Sequence, residues 1–219
     1  MSRLESPAYM RPLLPNWLRR LFIPEPNRTA QYAAGRYEAA FVAAQARSIL
    51  WGLRPPAMEP LPVRYASPSA IAAVRWQLHR SIGHLSEDVV ATQRFGITAA
   101  VRTMLEAELK VPLAFTLGYV RQNGQRLCYT PIEGLEQMLR TGIAQGARVS
   151  LHAWLTLPSH EVIDLSFWAL FPDSSCAEER EMRSLFTHPD QMLGRSYCPQ
   201  WIGDGFVRGI GVLKEYEGW

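Results

Sequence analysis

An imidazole and a carboxylate separated by one short turn are the residues in this sequence best placed to act together. Val149 to Leu157 alternates, with Val149, Leu151, Ala153, Leu155 and Leu157 facing one way and Ser150, His152, Trp154 and Thr156 the other. A second strand, Val162 to Leu170, is expected to return after a turn at Pro158, Ser159 and His160. In that register Leu157 pairs with Glu161, Trp154 faces Asp164, and His152 lies diagonally across from Asp164 on the same face. A carboxylate held against one imidazole nitrogen fixes the tautomer and leaves the other nitrogen free to take a proton from a nucleophile. That is two thirds of a nucleophilic triad.

A nucleophile is harder to find. The three cysteines are Cys128, Cys176 and Cys198. They form no CxxC and have no His at ligand spacing, so neither a disulfide framework nor a zinc site is written here, and a reducing compartment is expected. Gln122-Asn123-Gly124 is a tight-turn signal after the β-prone stretch Leu113 to Arg121, and it places Cys128 on the second strand of a hairpin. From there Cys128 could approach His152 if the two strands were neighbours. Cys176 and Cys198 fall in a C-terminal part without regular pattern.

Helices must position these strands. A long one is read from Thr29 to Leu53, and the five prolines between Pro55 and Pro68 then make an extended connector. Ser67 or Ser69 opens the next helix, which Gly83 ends, and another runs from about Phe95 to Leu109 before Pro112 stops it. Further helices are expected from Pro131 to about Gly146 and around Ala177 to Leu185. Residues 1–30 are proline-rich, with room for a short basic piece over Trp17 to Phe22. His79 and His84 are five apart and do not share a helical face, which argues against a two-histidine metal site. The glycines from Gly203 to Gly211 lack the Gly-Lys-Ser/Thr ending of a phosphate loop.

The order of these elements carries a resemblance. A helix ends in Leu109-Lys110-Val111-Pro112-Leu113 and leads to a strand closing in Gly118-Tyr119; His152-Ala153-Trp154 and Val162-Ile163-Asp164-Leu165 follow. Over about residues 86–170 this resembles the core of transglutaminase-like domains, a branch of the papain-like superfamily. The resemblance implies an α+β fold, a helix followed by an antiparallel sheet, with extra N-terminal helices. It implies that His152 and Asp164 belong to a catalytic triad and that Trp154, Phe95 and Tyr119 line a substrate cleft. It also puts the nucleophilic cysteine at or next to Phe95, where a helix N-terminus would lower a thiol's pKa, and there is no cysteine at that point. Thr98, one turn further in, is a far weaker nucleophile. The expected function is therefore a degenerate transglutaminase-like protein that binds a peptide or protein partner near His152. The alternative is a cysteine-dependent hydrolase or acyltransferase with Cys128 as relocated nucleophile.

The bulk properties fit this frame. The 219 residues are 47% hydrophobic and 20% charged, which is enough for a packed core. The organisation expected is an N-terminal helical extension over 1–65 and a core over 66–219, in one compact unit. A net charge of +3 and a pI near 8.9, with no block of like charges, give no nucleic-acid footprint. No cofactor or metal is indicated. Glu5 and Pro7 interrupt what a signal peptide would need, and no run of about 18 apolar residues occurs, so a cytoplasmic protein without a membrane span is expected.

Overall fold

The computed structural model describes residues 37–143 and 149–213. The expectations for Trp17 to Phe22, for the start of the first helix and for the end of the helix near Gly146 lie outside the described residues. Helix α1 (Tyr37–Leu50) presents Tyr37, Phe41, Ala44 and Ser48 to the interior at helical spacing and is closed by Gly52 at φ 71°. The connector that follows has no regular structure. It is pinned where Leu61 N–H reaches the Pro158 carbonyl and where the buried Glu161 carboxylate accepts from the amides of Tyr65 and Ala66, at 2.7 and 3.1 Å.

Helix α2 (Pro68–Ile82) starts as its sequence dictates, with Ser67 Oγ accepting from Ala70 N–H and Pro68 in the first turn. Its end differs in detail: Gly83 is right-handed, and His84 lies past the helix. Ser86 caps the short α3 (Glu87–Thr92), which runs into α4 (Arg94–Leu109). Lys110 ends α4 in the left-handed region, at φ 56°, and the chain turns at Val111-Pro112 into β1 (Ala114–Gln122). Asn123 and Gly124, both at positive φ, make the two-residue turn to β2 (Gln125–Leu127).

The sheet has six antiparallel strands in the order β2-β1-β3-β4-β5, with β6 (Arg195–Ile202) against the other edge of β1. Between these strands lie α5 (Ile132–Thr141), β3 (His152–Thr156), β4 (Val162–Asp164), α6 (Phe167–Leu170), α7 (Ala177–Met182) and β5 (Leu185–Thr187). Helix α8 (Gly205–Gly209) follows β6. Mixed α+β architecture with a curled antiparallel sheet is thus observed. No helix among the described residues is long and apolar enough to cross a membrane.

Both faces of the sheet are covered. Leu151, Ala153, Leu155, Phe115 and Leu117 pack with Ile97, Val101 and Leu105 of α4. Trp154, Ala114, Val120 and Tyr197 pack with Tyr37, Phe41 and Ala44 of α1. The alternation read in the sequence therefore separates two buried layers rather than core from solvent, and all five residues of β3 are buried. Helix α1 forms part of the same core, although it falls in the stretch read as an extension.

Four expectations need correction. The His152 strand is shorter than residues 149–157. The strand expected over Val162 to Leu170 ends at Asp164, because Asp164 Oδ1 accepts from the amides of Ser166 and Phe167 and turns the chain into α6. Cys128 is not on a strand: β2 stops at Leu127, and Cys128 sits at φ 55° in the loop beyond. The C-terminal part is not irregular, since β6 pairs along most of β1. Pro199 masks that strand in the sequence. It is tolerated where the register shifts beside Leu117 and Gly118, leaving Gln200 as the extra residue. Gly118 is required there, for a Cβ would lie 2.1 Å from the Cys198 carbonyl oxygen.

Candidate functional site

Strands β3 and β4 set the pair. Leu155 opposes Ile163 and Thr156 opposes Val162, so Trp154 faces Asp164 and His152 reaches it diagonally. His152 Nε2 lies 2.6 Å from Asp164 Oδ2, and neither side chain has any exposed surface. Tyr197, brought alongside by β6, donates its hydroxyl to the same oxygen at 2.7 Å. With Ser166 and Phe167 on Oδ1 at 3.0 Å each, the carboxylate has four donors and no spare acceptor direction. Burial alone would raise the Asp164 pKa; the His152 ring, the Ser166 amide and the Tyr197 hydroxyl outweigh it and hold the group below its ordinary range. Burial, then the Asp164 charge, pushes Tyr197 well up, so it remains a neutral donor.

Aromatic rings close the pocket. Those of Trp154, Phe167 and Tyr197 lie 5.8, 5.9 and 6.4 Å from the imidazole. Phe167 is backed by the Arg195 guanidinium at 3.9 Å, and buried Arg195 is held by Glu179, the Ser174 carbonyl and Gln122. Trp154 Nε1 donates to Tyr37 Oη at 2.7 Å, which ties α1 to this layer. Two buried polar atoms here have no partner among the described residues: Ser166 Oγ and His152 Nδ1, the latter the nitrogen a nucleophile would use.

The start of α4 lies beside the chain that leads into His152. Arg94 Nε donates to the Leu151 carbonyl at 3.0 Å and Nη2 to that of Val149 at 3.1 Å, while Nη1 returns to Ala91 at 2.9 Å. Its guanidinium lies 4.4 Å over the ring of Phe95, which is itself buried. Burial lowers the pKa of Arg94 from its ordinary value. A cation tied to three carbonyls and a buried phenyl ring thus stand where the resemblance asks for a thiol.

The sheet brings Cys128 into the same neighbourhood. Strand β6 occupies one edge of β1 from Thr116 to Gln122, so β2 and β3 share the other edge end to end. Leu127 pairs with Val120 and His152 with Gly118, which leaves Cys128 next to the start of β3. No hydrogen bond joins the thiol to the imidazole. Burial raises the Cys128 pKa to about 11; nearby Arg94 works against this and Asp164 with it. At neutral pH only ~10⁻⁴ of such a thiol is thiolate.

The other cysteines stand apart. Cys198 on β6 is opposite Tyr119, and burial likewise raises its pKa to about 11. Cys176 is exposed and caps α7, its Sγ accepting from Glu179 N–H. Of the expected cleft residues, Trp154 has no exposed surface and Phe95 is buried. Tyr119 is half-buried, packed edge-on against Tyr129 at 4.8 Å, with Arg126 4.5 Å over the Tyr129 ring. Sequence reasoning missed Tyr197 and Arg94. Tyr197 carries no local signal, because only the pairing of β6 with β1 places it. Arg94 had one, as a cation at a helix start, where the macrodipole disfavours it and another reason for its presence is needed.

Comparison with protein-family models, with curated proteins and with solved structures finds no match to this chain.

Proposed function

We propose that this chain is a transglutaminase-like protein that has lost its chemistry and binds a peptide or protein partner at the rim of the cleft beside His152. The order of α4, β1, the His152 strand and the Asp164 strand supports the resemblance, as does the packing of the α4 start against residues 149–151. The observation that carries the loss of catalysis is Arg94. Its three carbonyl contacts fill the helix start with a structural cation, and the buried pair behind it has no thiolate to serve. The pair itself is buried; one residue along β1 from Gly118, which opposes His152, Tyr119 packs with Tyr129 and Arg126 next to it, and none of the three is fully buried. Aromatic rings with an arginine are the residue types that most often anchor partners.

The test joins reactivity to binding. Alkylation of each cysteine near neutral pH, read by peptide mass spectrometry, should be slow at Cys128 and the same in wild type and His152→Ala. A peptide array probed with wild type should lose its strongest signals with Tyr129→Ala. Thiol-dependent turnover of an ester or amide would overturn the reading.

One observation favours a second reading, in which Cys128 is a relocated nucleophile. A non-glycine residue at positive φ beside an unpartnered buried imidazole nitrogen is the kind of local strain found at reactive turns. On that reading Cys128 labels fast, and the rate falls in His152→Ala.

A further inference from the structure

A second concave site lies between α2, α3, α6 and α7, sharing none of the residues that touch His152. It is a groove of about 550 Å³. That volume suits a small organic molecule. Its walls are apolar, with Leu78, Ile82, Val90, Trp168 and Met182 among them. Ala72, Arg75, Trp76 and His79 of α2 also line it, at the spacing of a single helical stripe. This is the exposed face of α2, whose packed face carries Val74 and Leu78. Here Trp76 is 55% exposed, with the Arg80 guanidinium 4.6 Å over its ring.

The charges at the groove are unequal. Arg75 and Arg183 line it against one carboxylate, Glu181. Arg183 is already committed, donating to the carbonyls of Gly83 and Leu85 and stacking 4.6 Å over Trp168. Among the described residues Arg75 is held only by Glu181, at 3.5 Å, in a pair whose side chains are 50% and 75% exposed. A pair so open to water is worth under about 1 kcal/mol, and an incoming anion exchanges with Glu181 at little cost. His79 lies four residues from Arg75, on the same face.

We propose that this groove binds a small amphipathic carboxylic acid, its apolar body against the Trp76 and Trp168 side of the groove and its carboxylate on Arg75 in place of Glu181. The occupant is a free acid rather than a protein segment: among the described residues that line the groove, Arg75 is the cation held by an exchangeable pair, and the volume it helps to line is of small-molecule size. This site is independent of the function proposed for the His152 cleft.

The test is calorimetric titration of the full chain at low ionic strength with naphthalene-2-carboxylate and its neutral isostere naphthalene-2-carboxamide. The carboxylate should bind about tenfold more tightly than the amide, a difference typical of one good ionic contact. Arg75→Gln should bring the two affinities together, and Trp76→Ala should weaken both probes about tenfold. Glu181→Gln, which removes the competing carboxylate at an exposed position, should tighten the acid about threefold and leave the amide unchanged. Equal affinity of wild type for both probes, or no binding of either, would overturn the proposal. So would a carboxylate affinity that neither Arg75→Gln nor Glu181→Gln alters.

Discussion

Two regions at one end of the sheet, the start of α4 and the His152 pocket, use buried charge in opposite ways. In the pocket a carboxylate gathers four donors from β3, β6 and the turn into α6, so three parts of the chain meet on one anion. At the helix start a guanidinium gathers three carbonyls and fastens α4 to the chain that enters β3. The pocket is sealed, whereas the helix start is only part-buried. Hydrolytic chemistry would need these regions to cooperate, the helix start activating a nucleophile and the pocket taking its proton. Here the carboxylate and the guanidinium each take their partners from their own surroundings, while His152 Nδ1 has none, and each region contributes to holding the sheet.

The contrast in burial ranks the expected losses. Asp164→Asn replaces a buried acceptor by an amide that must face three donors beside His152, and it should lower the unfolding free energy by about 3–5 kcal/mol. Urea unfolding measures it. Arg94→Met keeps the bulk and removes the charged hydrogen bonds, for a loss of about 2 kcal/mol. A larger loss at Arg94 than at Asp164 would reverse the comparison.

Tyr197→Phe sharpens the pocket side of it, with an expected loss of about 1.5 kcal/mol at neutral pH. Its pH dependence is more telling. Asp164 has its folded pKa below the unfolded value of about 3.9, so its contribution is complete above that pH and is lost as pH falls through the folded value. Removing the Tyr197 donor moves the folded pKa back up. Acid unfolding of Tyr197→Phe should therefore begin at higher pH than that of wild type, as circular dichroism would register.

The His152–Asp164 hairpin was legible because two local signals agreed: strict alternation through residues 149–157 and a short polar turn at Pro158 to His160. The helices α2 and α4 were legible for the same reason, since caps or breakers sit beside periodic apolar residues, whereas the six-residue α3 is too short to show a period and was not expected. What could not be read depends on distant partners. Tyr197 reaches Asp164 only because β6 pairs with β1, and Pro199 conceals that strand in any local reading. Cys128 was placed on a strand because Arg126 to Tyr129 look β-prone; a single left-handed residue ends the ladder after Leu127. Arg94 is a cation at a helix start, and the carbonyls of Leu151 and Val149 that it needs lie more than fifty residues away in sequence.

The smallest effect belongs to the turn that joins the two strands of the pocket. His160, at φ 62° and 7% exposed, lies edge-on to Phe41 at 5.5 Å and to Tyr37 at 6.4 Å, and so fixes the β3–β4 turn to α1. Burial lowers its pKa, and Glu38 and Asp190 offset only part of this. A group depressed in the folded state stabilises fully above its unfolded pKa, near 6.5, and loses that contribution as pH falls through the folded value. Wild type should thus weaken on acidification from about pH 7 to 5, before Asp164 begins to titrate. Asparagine tolerates the left-handed backbone, so His160→Asn should cost under about 1 kcal/mol at pH 7 while flattening that slope. If the variant keeps the full wild-type slope in urea melts across this range, the sensitivity does not come from His160.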